Sequence, residues 1–149
     1  MLDQSGLALE DRLPGGGGTS VGEALLAPHR WYGRSLLPEL ARGRVRALAH
    51  VTGGGLGGNL VRVLPAGARA RVRANAWRRP AVFQWIEEAG SVPEDHLRAA
   101  FNLGIGMAVV CDHGAAAALA GDLADRGETV HPIGEIVEGE RGVEWIEGP

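Results

Sequence analysis

His50-Val51-Thr52-Gly53-Gly54-Gly55-Leu56-Gly57-Gly58-Asn59 is the stretch on which the reading of this chain turns. Val45 to Val51, immediately before the glycines, reads as a strand; immediately after them Leu56, Leu60 and Val63 recur at helical spacing until Pro65 and Gly67 close the pattern. A strand that runs through consecutive glycines into a helix is the unit of an α/β layer. It is also how an anion site is built, because glycines leave backbone NH groups unshielded and a helix start adds free donors and a favourable dipole. Thr52 brings a hydroxyl to such a loop, and His50 brings an imidazole able to supply charge or a proton near neutral pH.

Working outward, Ala68 to Arg73 alternates small apolar residues with Arg69, Arg71 and Arg73, the period-two signature of a half-buried strand whose arginines form a solvated face. On the N-terminal side, Ser20 and Glu23 have capping-box spacing and open a short helix that Pro28 stops. A second helix is expected from Ser35 to Arg42, with Leu36, Leu37 and Leu40 on one face and Gly43 as its stop, both helices packing on a sheet. Residues 1–18, ending in Pro14 and Gly15 to Gly18, read as a flexible lead-in and glycine-rich linker, leaving 19–149 as the folded domain. On the C-terminal side, Pro80 precedes a helix with Phe83 and Ile86 on one face and Gly90 as its stop; Ser91 and Glu94 suggest another capping box, ahead of a helix to Phe101. Leu103 to Cys111 reads as a strand covered on both faces, Ala115 to Arg126 as a helix with Ala116, Leu119, Ala120 and Leu123 inward, and Val130 to Glu138 with Gly142 to Ile146 as a strand pair. The expectation is an α/β (α+β) fold: a layered mixed sheet of four to five strands covered by helices.

Composition narrows the chemistry. With 149 residues, 45% hydrophobic and 22% charged, the chain falls in the globular class, and its longest apolar run is far short of the roughly 20 residues a spanning helix needs. All 15 basic residues are arginine. A Walker-type lysine, a Schiff base and a lysine general base are therefore excluded, and phosphate contacts fall to backbone NH groups, arginine or a metal. Glycine accounts for 24 residues, more than twice the usual ~7%. The single cysteine, Cys111, excludes an intrachain disulfide and any multi-cysteine metal site; it reads as a small core residue, and a reducing, cytoplasmic setting is expected. Twelve of the arginines but only five of the 18 acids lie in residues 1–80. Because those arginines alternate with apolar residues inside folded elements, neither nucleic-acid nor membrane binding is expected. His29, His96, His113 and His131 have turn or surface explanations, and no metal ligands are assigned.

A second motif, Phe101-Asn102-Leu103-Gly104-Ile105-Gly106-Met107, puts two glycines at the entry to an apolar strand. It reads either as a bulge or as a wall where backbone meets ligand, with Asn102 offering both a donor and an acceptor.

Taken together, Gly22 to Pro28, His50 to Asn59 continuing into Arg62-Val63-Leu64-Pro65, Phe101 to Met107, and Ile133-Gly134-Glu135-Ile136-Val137 resemble the C-terminal domain of phosphoribosylformylglycinamidine cyclo-ligases, also called AIR synthetases. The resemblance extends from about Leu7 to Ile146. It implies a ligase of de novo purine biosynthesis that uses ATP and Mg2+ to turn formylglycinamidine ribonucleotide into aminoimidazole ribonucleotide. Carried over residue by residue, it implies His50 as the catalytic residue and a cleft loop of Thr52, Gly53, Gly54, Gly55 and Asn59, with Asn102, Gly104 and Gly106 as the neighbouring wall. In that family an N-terminal ATP-binding domain holds most of the nucleotide, the magnesium and the homodimer contacts; these residues start after it, so the chain is expected to be inactive alone. The rival reading is a non-catalytic module that binds phosphate or nucleotide, or that only self-associates.

Overall fold

The computed structural model describes residues 2–147, and alternation, capping and glycine stops account for most of its elements. In order these are α1 (Leu2–Ser5), α2 (Val21–Leu25), α3 (Gly33–Ala41), β1 (Val45–His50), α4 (Gly55–Leu60), a 3-10 turn at Val61–Val63, β2 (Ala68–Arg73), α5 (Ala81–Gly90), α6 (Glu94–Ala100), β3 (Met107–Cys111), a 3-10 turn at His113–Ala115, α7 (Ala116–Asp125), β4 (Gly134–Glu138) and β5 (Gly142–Ile146). The α/β class and the five strands are as expected, but the strands divide between two sheets. β1 pairs antiparallel with β3, while β2 lies between β4, antiparallel, and β5, parallel.

That topology corrects one expectation: β4 and β5 are not partners, because β2 occupies the place between them. Its Ala70 and Val72 are buried, while Arg69, Arg71 and Arg73 reach across to Glu140, to Glu135 and Glu144, and to the Pro132 carbonyl. The strand expected from Val130 starts only at Gly134.

The β1–β3 ribbon has apolar material on both faces. Ala49 and Ala108 are buried and Val110 is half-buried in a cluster with Val51, Leu56, Leu60 and the inner residues of β2; Leu48, Met107, Val109 and Cys111 pack on Leu36 of α3 and on Leu119 and Leu123 of α7. Each fully buried side chain of this kind stabilises by about 1.5–3 kcal/mol. Cys111 is a half-buried core residue, its thiol pushed up first by burial and then by Asp112. On α7, Ala116 is exposed instead of inward.

Strand β3 is shorter than expected. Leu103 to Gly106 form a turn, with Leu103 at φ 50° and Gly104 at φ 104°, and pairing begins only at Met107. The capping box at Ser20 forms, Ser20 Oγ accepting from the Glu23 amide at 3.1 Å and the Glu23 carboxylate accepting from the Ser20 amide at 2.8 Å. The one expected at Ser91 does not. Ser91 ends α5 in the left-handed region, and Glu94 turns to Arg79 at 2.7 Å and Arg98 at 2.6 Å. Helix α2 packs with α5 instead of on a sheet: Val21, Trp85, Ile86, Leu97 and Leu103 form a third cluster. Leu13 is buried there too, and Gly15 to Gly18, read as linker, make a tight turn between the paired residues Arg12 and Ser20.

Helix α3 also differs from its predicted face. Leu36 and Glu39 point inward, while Leu37 and Leu40 are exposed. Glu39 has no exposed surface and meets Arg42 and Arg126 at 2.8 Å through one oxygen and Arg44 at 3.3 Å through the other. Arg126 follows α7, so one buried carboxylate ties α3 to α7 and to the turn before β1.

Two stability predictions follow from these charges. Glu39→Ala takes a shared carboxylate from three guanidiniums that can partly rehydrate, two of which, Arg42 and Arg44, keep Asp122, so its cost is about 2–3 kcal/mol, below the ~3–5 of a fully buried pair, as read from denaturant midpoints. For Glu94, burial raises the carboxyl but the Arg79 and Arg98 bonds outweigh it, and for Asp122 the Arg44 bond is the main cause of a lowered value. A depressed folded value stabilises above the ordinary carboxylate range and is lost as pH falls through it, so between roughly pH 5 and 3 the wild type loses stability more steeply than Glu94→Gln in thermal melts.

Candidate functional site

The pairing of β1 with β3 brings the two glycine motifs together. His50 lies opposite Met107, and the Val51 amide donates to the Gly106 carbonyl at 3.0 Å. Beyond that last bond the two chains separate, one into the glycine loop and the other into the Asn102 turn. Between them is an open cleft of about 290 Å³ lined by Val51, Thr52, Phe83, Ala100, Phe101, Asn102 and His29. Phe83 and Phe101 form an aromatic floor, their ring centroids 5.7 Å apart. Thr52 and Asn102, chosen from separate motifs, therefore line one cleft, while His50 is exposed outside that lining, next to Val51 and in ring contact with His29.

Asn59 is buried and organises the loop from within. Its amide nitrogen donates to the carbonyls of Gly55 at 2.7 Å, Gly53 at 3.2 Å and Thr52 at 3.4 Å, and its oxygen accepts from Arg62 at 3.4 Å. Turning those carbonyls inward leaves Gly53 and Gly54 exposed. Asn102 plays a similar part in the second motif: its Oδ1 accepts from the Gly104 amide at 3.0 Å and its carbonyl from Ile105 at 2.9 Å, while the Trp77 indole donates to the Leu103 carbonyl at 2.8 Å.

The glycines divide by what their missing side chains admit. A Cβ on Gly55 would overlap the Arg98 carbonyl at the end of α6 and lie 2.9 Å from that of Phe101, so this glycine lets α4 seat against α6. At Gly104 a Cβ would lie 2.7 Å from Pro80 Cδ, and at Gly106 it would overlap the Tyr32 hydroxyl. Gly53 faces open space, and Gly54 meets only the tips of Asn59 and Arg62 at 3.8 and 3.9 Å. The positions open to a ligand are thus Gly53 and Gly54, with Thr52 beside them. His29, absent from the sequence-predicted set and read there only as a turn residue, lines the same cleft.

Among the described residues no group of three or more His, Cys, Asp or Glu side chains could hold a metal ion, and no helix is long and apolar enough to cross a membrane. Glu94 and its neighbour Glu87 are engaged by Arg79 and Arg98.

An α/β domain with a strand-borne glycine loop facing an Asn-Gly turn across one cleft is the class that fold and site define. The chain belongs to the AIR synthase related protein family, whose C-terminal domain profile matches residues 1–147. It is 46% identical over 136 residues to a phosphoribosylformylglycinamidine cyclo-ligase of Sorangium cellulosum, covering 90% of this chain and 39% of that protein. It is 39% identical over 140 residues to a chloroplastic phosphoribosylformylglycinamidine cyclo-ligase of Arabidopsis thaliana, covering 94% and 36%, and 43% identical over 122 residues to the phosphoribosylformylglycinamidine cyclo-ligase of Bordetella petrii, covering 80% and 35%. The chain thus spans little more than a third of the length of these relatives.

Gly53→Ala and Gly55→Ala separate the open glycine from the packed one. With nothing near its Cβ, the first changes stability by no more than about 0.5 kcal/mol. The second, at φ 62° and against the Arg98 carbonyl, costs about 3 kcal/mol or more by adding overpacking to left-handed strain, and thermal melts of the pair check both.

Proposed function

We propose that this chain is the substrate-side half of an ATP-dependent cyclo-ligase that converts formylglycinamidine ribonucleotide to aminoimidazole ribonucleotide, working with an N-terminal ATP-binding domain or subunit. The observation that carries this reading is the one cleft on which Thr52 and Asn102 meet, with the exposed His50, Gly53 and Gly54 adjoining its Val51–Thr52 wall in sequence. When bound, ATP supplies the phosphoryl group that turns the formyl oxygen into a leaving group for attack by the amidine nitrogen. The task left to these residues is positioning and charge stabilisation. The NH groups of Gly53 and Gly54 and the Thr52 hydroxyl donate to phosphate oxygens, Asn102 closes the opposite wall, and His50 holds or moves a proton at its imidazole. For magnesium, the described residues offer no group of three or more His, Cys, Asp or Glu side chains that could hold it.

Two measurements test the proposal. The chain alone is expected to show no ring closure, and addition of the N-terminal domain in trans restores it, dependent on His50 and Asn102; turnover by the lone chain, or none from a well-folded mixture, overturns it. Titration with inorganic phosphate is expected to move the Gly53 and Gly54 amide resonances, and unmoved resonances count against the loop as the anion site.

A further inference from the structure

The cleft holds a second imidazole. His29, in the turn ahead of α3, sets its ring edge-on to His50, with centroids 4.5 Å apart and planes at 81°. It meets Tyr32 in the same manner at 5.9 Å and lines the cleft with Thr52 and Asn102. Gly106 makes the room: a Cβ there would overlap the Tyr32 hydroxyl and lie 3.0 Å from His29 Cε1. A glycine of the second motif thus seats a ring beside the histidine of the first.

That ring is also oriented. Its Nδ1 lies 3.1 Å from the Arg30 carbonyl, which can only accept, so Nδ1 carries a proton and Nε2 is the nitrogen left for a ligand. Neither ring has an internal counter-charge. Among the described residues the one histidine within ion-pair distance of a carboxylate is His96, beside Asp95. The charged groups around His29 are spent on each other, Arg30 pairing with Glu128 at 2.6 Å, and the Tyr32 phenol is pushed up, first by burial and then by Glu128. From β3 and α6 the facing residues are Met107, Ala100 and Phe101, which carry no charge.

We propose that His29 is a ligand-contacting residue which, with His50, recognises a phosphate group at this end of the cleft. The inference rests on the reading of the cleft given above and extends it to a residue from a different part of the chain. Two imidazoles side by side repel when both are protonated, and an anion accepting from both relieves that repulsion through charge-assisted hydrogen bonds. In a chain without lysine the two imidazoles add a titratable cationic element to the exposed amides of Gly53 and Gly54, whose other cation is the Arg62 guanidinium, 3.9 Å from where a Gly54 Cβ would lie. The same chemistry would hold a ribonucleotide's 5′-phosphate or a phosphate of ATP.

The test is a phosphate titration of the whole chain followed at the imidazole and Gly53–Gly54 resonances, at pH 6 and pH 8. Both rings are expected to shift with the amides, and affinity is expected to be higher at pH 6. His29→Phe keeps an aromatic edge against His50 and should weaken phosphate about tenfold at pH 6 while removing most of the gain from pH 8; His29→Gln, which retains a donor, should fall between. His96→Phe should change nothing. Parallel titrations with ribose 5-phosphate and ATP assign the source by which binds more tightly than inorganic phosphate. Unchanged affinity in both His29 variants, or phosphate shifts that spare His29, overturns the proposal. None of these readouts uses turnover, so failure of the ring-closure assay is distinguishable from failure here.

Discussion

The last rung of the β1–β3 ribbon, where the Val51 amide meets the Gly106 carbonyl, is the interaction on which the rest depends. It fixes the register that places His50 opposite Met107, and register sets which side chains face which core. A slip of one residue would turn Leu48 and Val109 from the α3–α7 side toward the β2 side and carry the glycine loop away from the Asn102 turn. Apolar clusters on the two faces specify that register strongly. The Glu39 carboxylate, gripped by arginines from three places in the chain, holds α3 against α7 and so keeps the layer closed on the α3 side.

Three glycines of the two motifs are places where protein meets protein. Gly55 admits the end of α6, Gly104 admits Pro80 and Gly106 admits Tyr32, while Gly53 is left without a neighbour. The cleft therefore has a rigid frame, because its glycines are occupied by packing, and a small open lip at Gly53 and Gly54. Asn59 supplies the internal bonds that let such a lip hold its shape without side chains of its own.

Much of this was legible locally. Ser20 with Glu23, the alternation through Val72, and the strand-loop-helix run through the glycines each depend on residues within a few positions of one another, and each formed as read. The two site motifs were legible as well, but not the division of their glycines, since a missing side chain looks the same whether it admits a ligand or a helix end. Other features depended on distant partners. Glu94 had capping spacing, yet Arg79 and Arg98 offered it two charged bonds and α6 began without a cap. The burial of Glu39 depends on Arg126 from beyond α7, and β4 and β5 looked like a hairpin until β2 came between them. His29 had only a turn to recommend it; its meaning lies in a ring contact with a residue on another element.

The central position of β2 has a consequence for how the chain acquires its shape. Its partners are made long after it: Gly134–Glu138 and Gly142–Ile146 emerge about 60 to 70 residues later, and one of the two pairings is parallel and non-local, the slow kind to form. Until then the strand carries two open edges, the state most prone to pair with a neighbouring molecule. Arg69, Arg71 and Arg73 place a positive charge at every second position of that waiting strand, which discourages pairing with another copy of itself. The acids that finally pair with Arg69 and Arg71, which are Glu135, Glu140 and Glu144, come on or between the strands that complete the sheet, while Arg73 donates to the Pro132 carbonyl. The same arginines that look like surface decoration in the finished fold serve as gatekeepers while it is still being made.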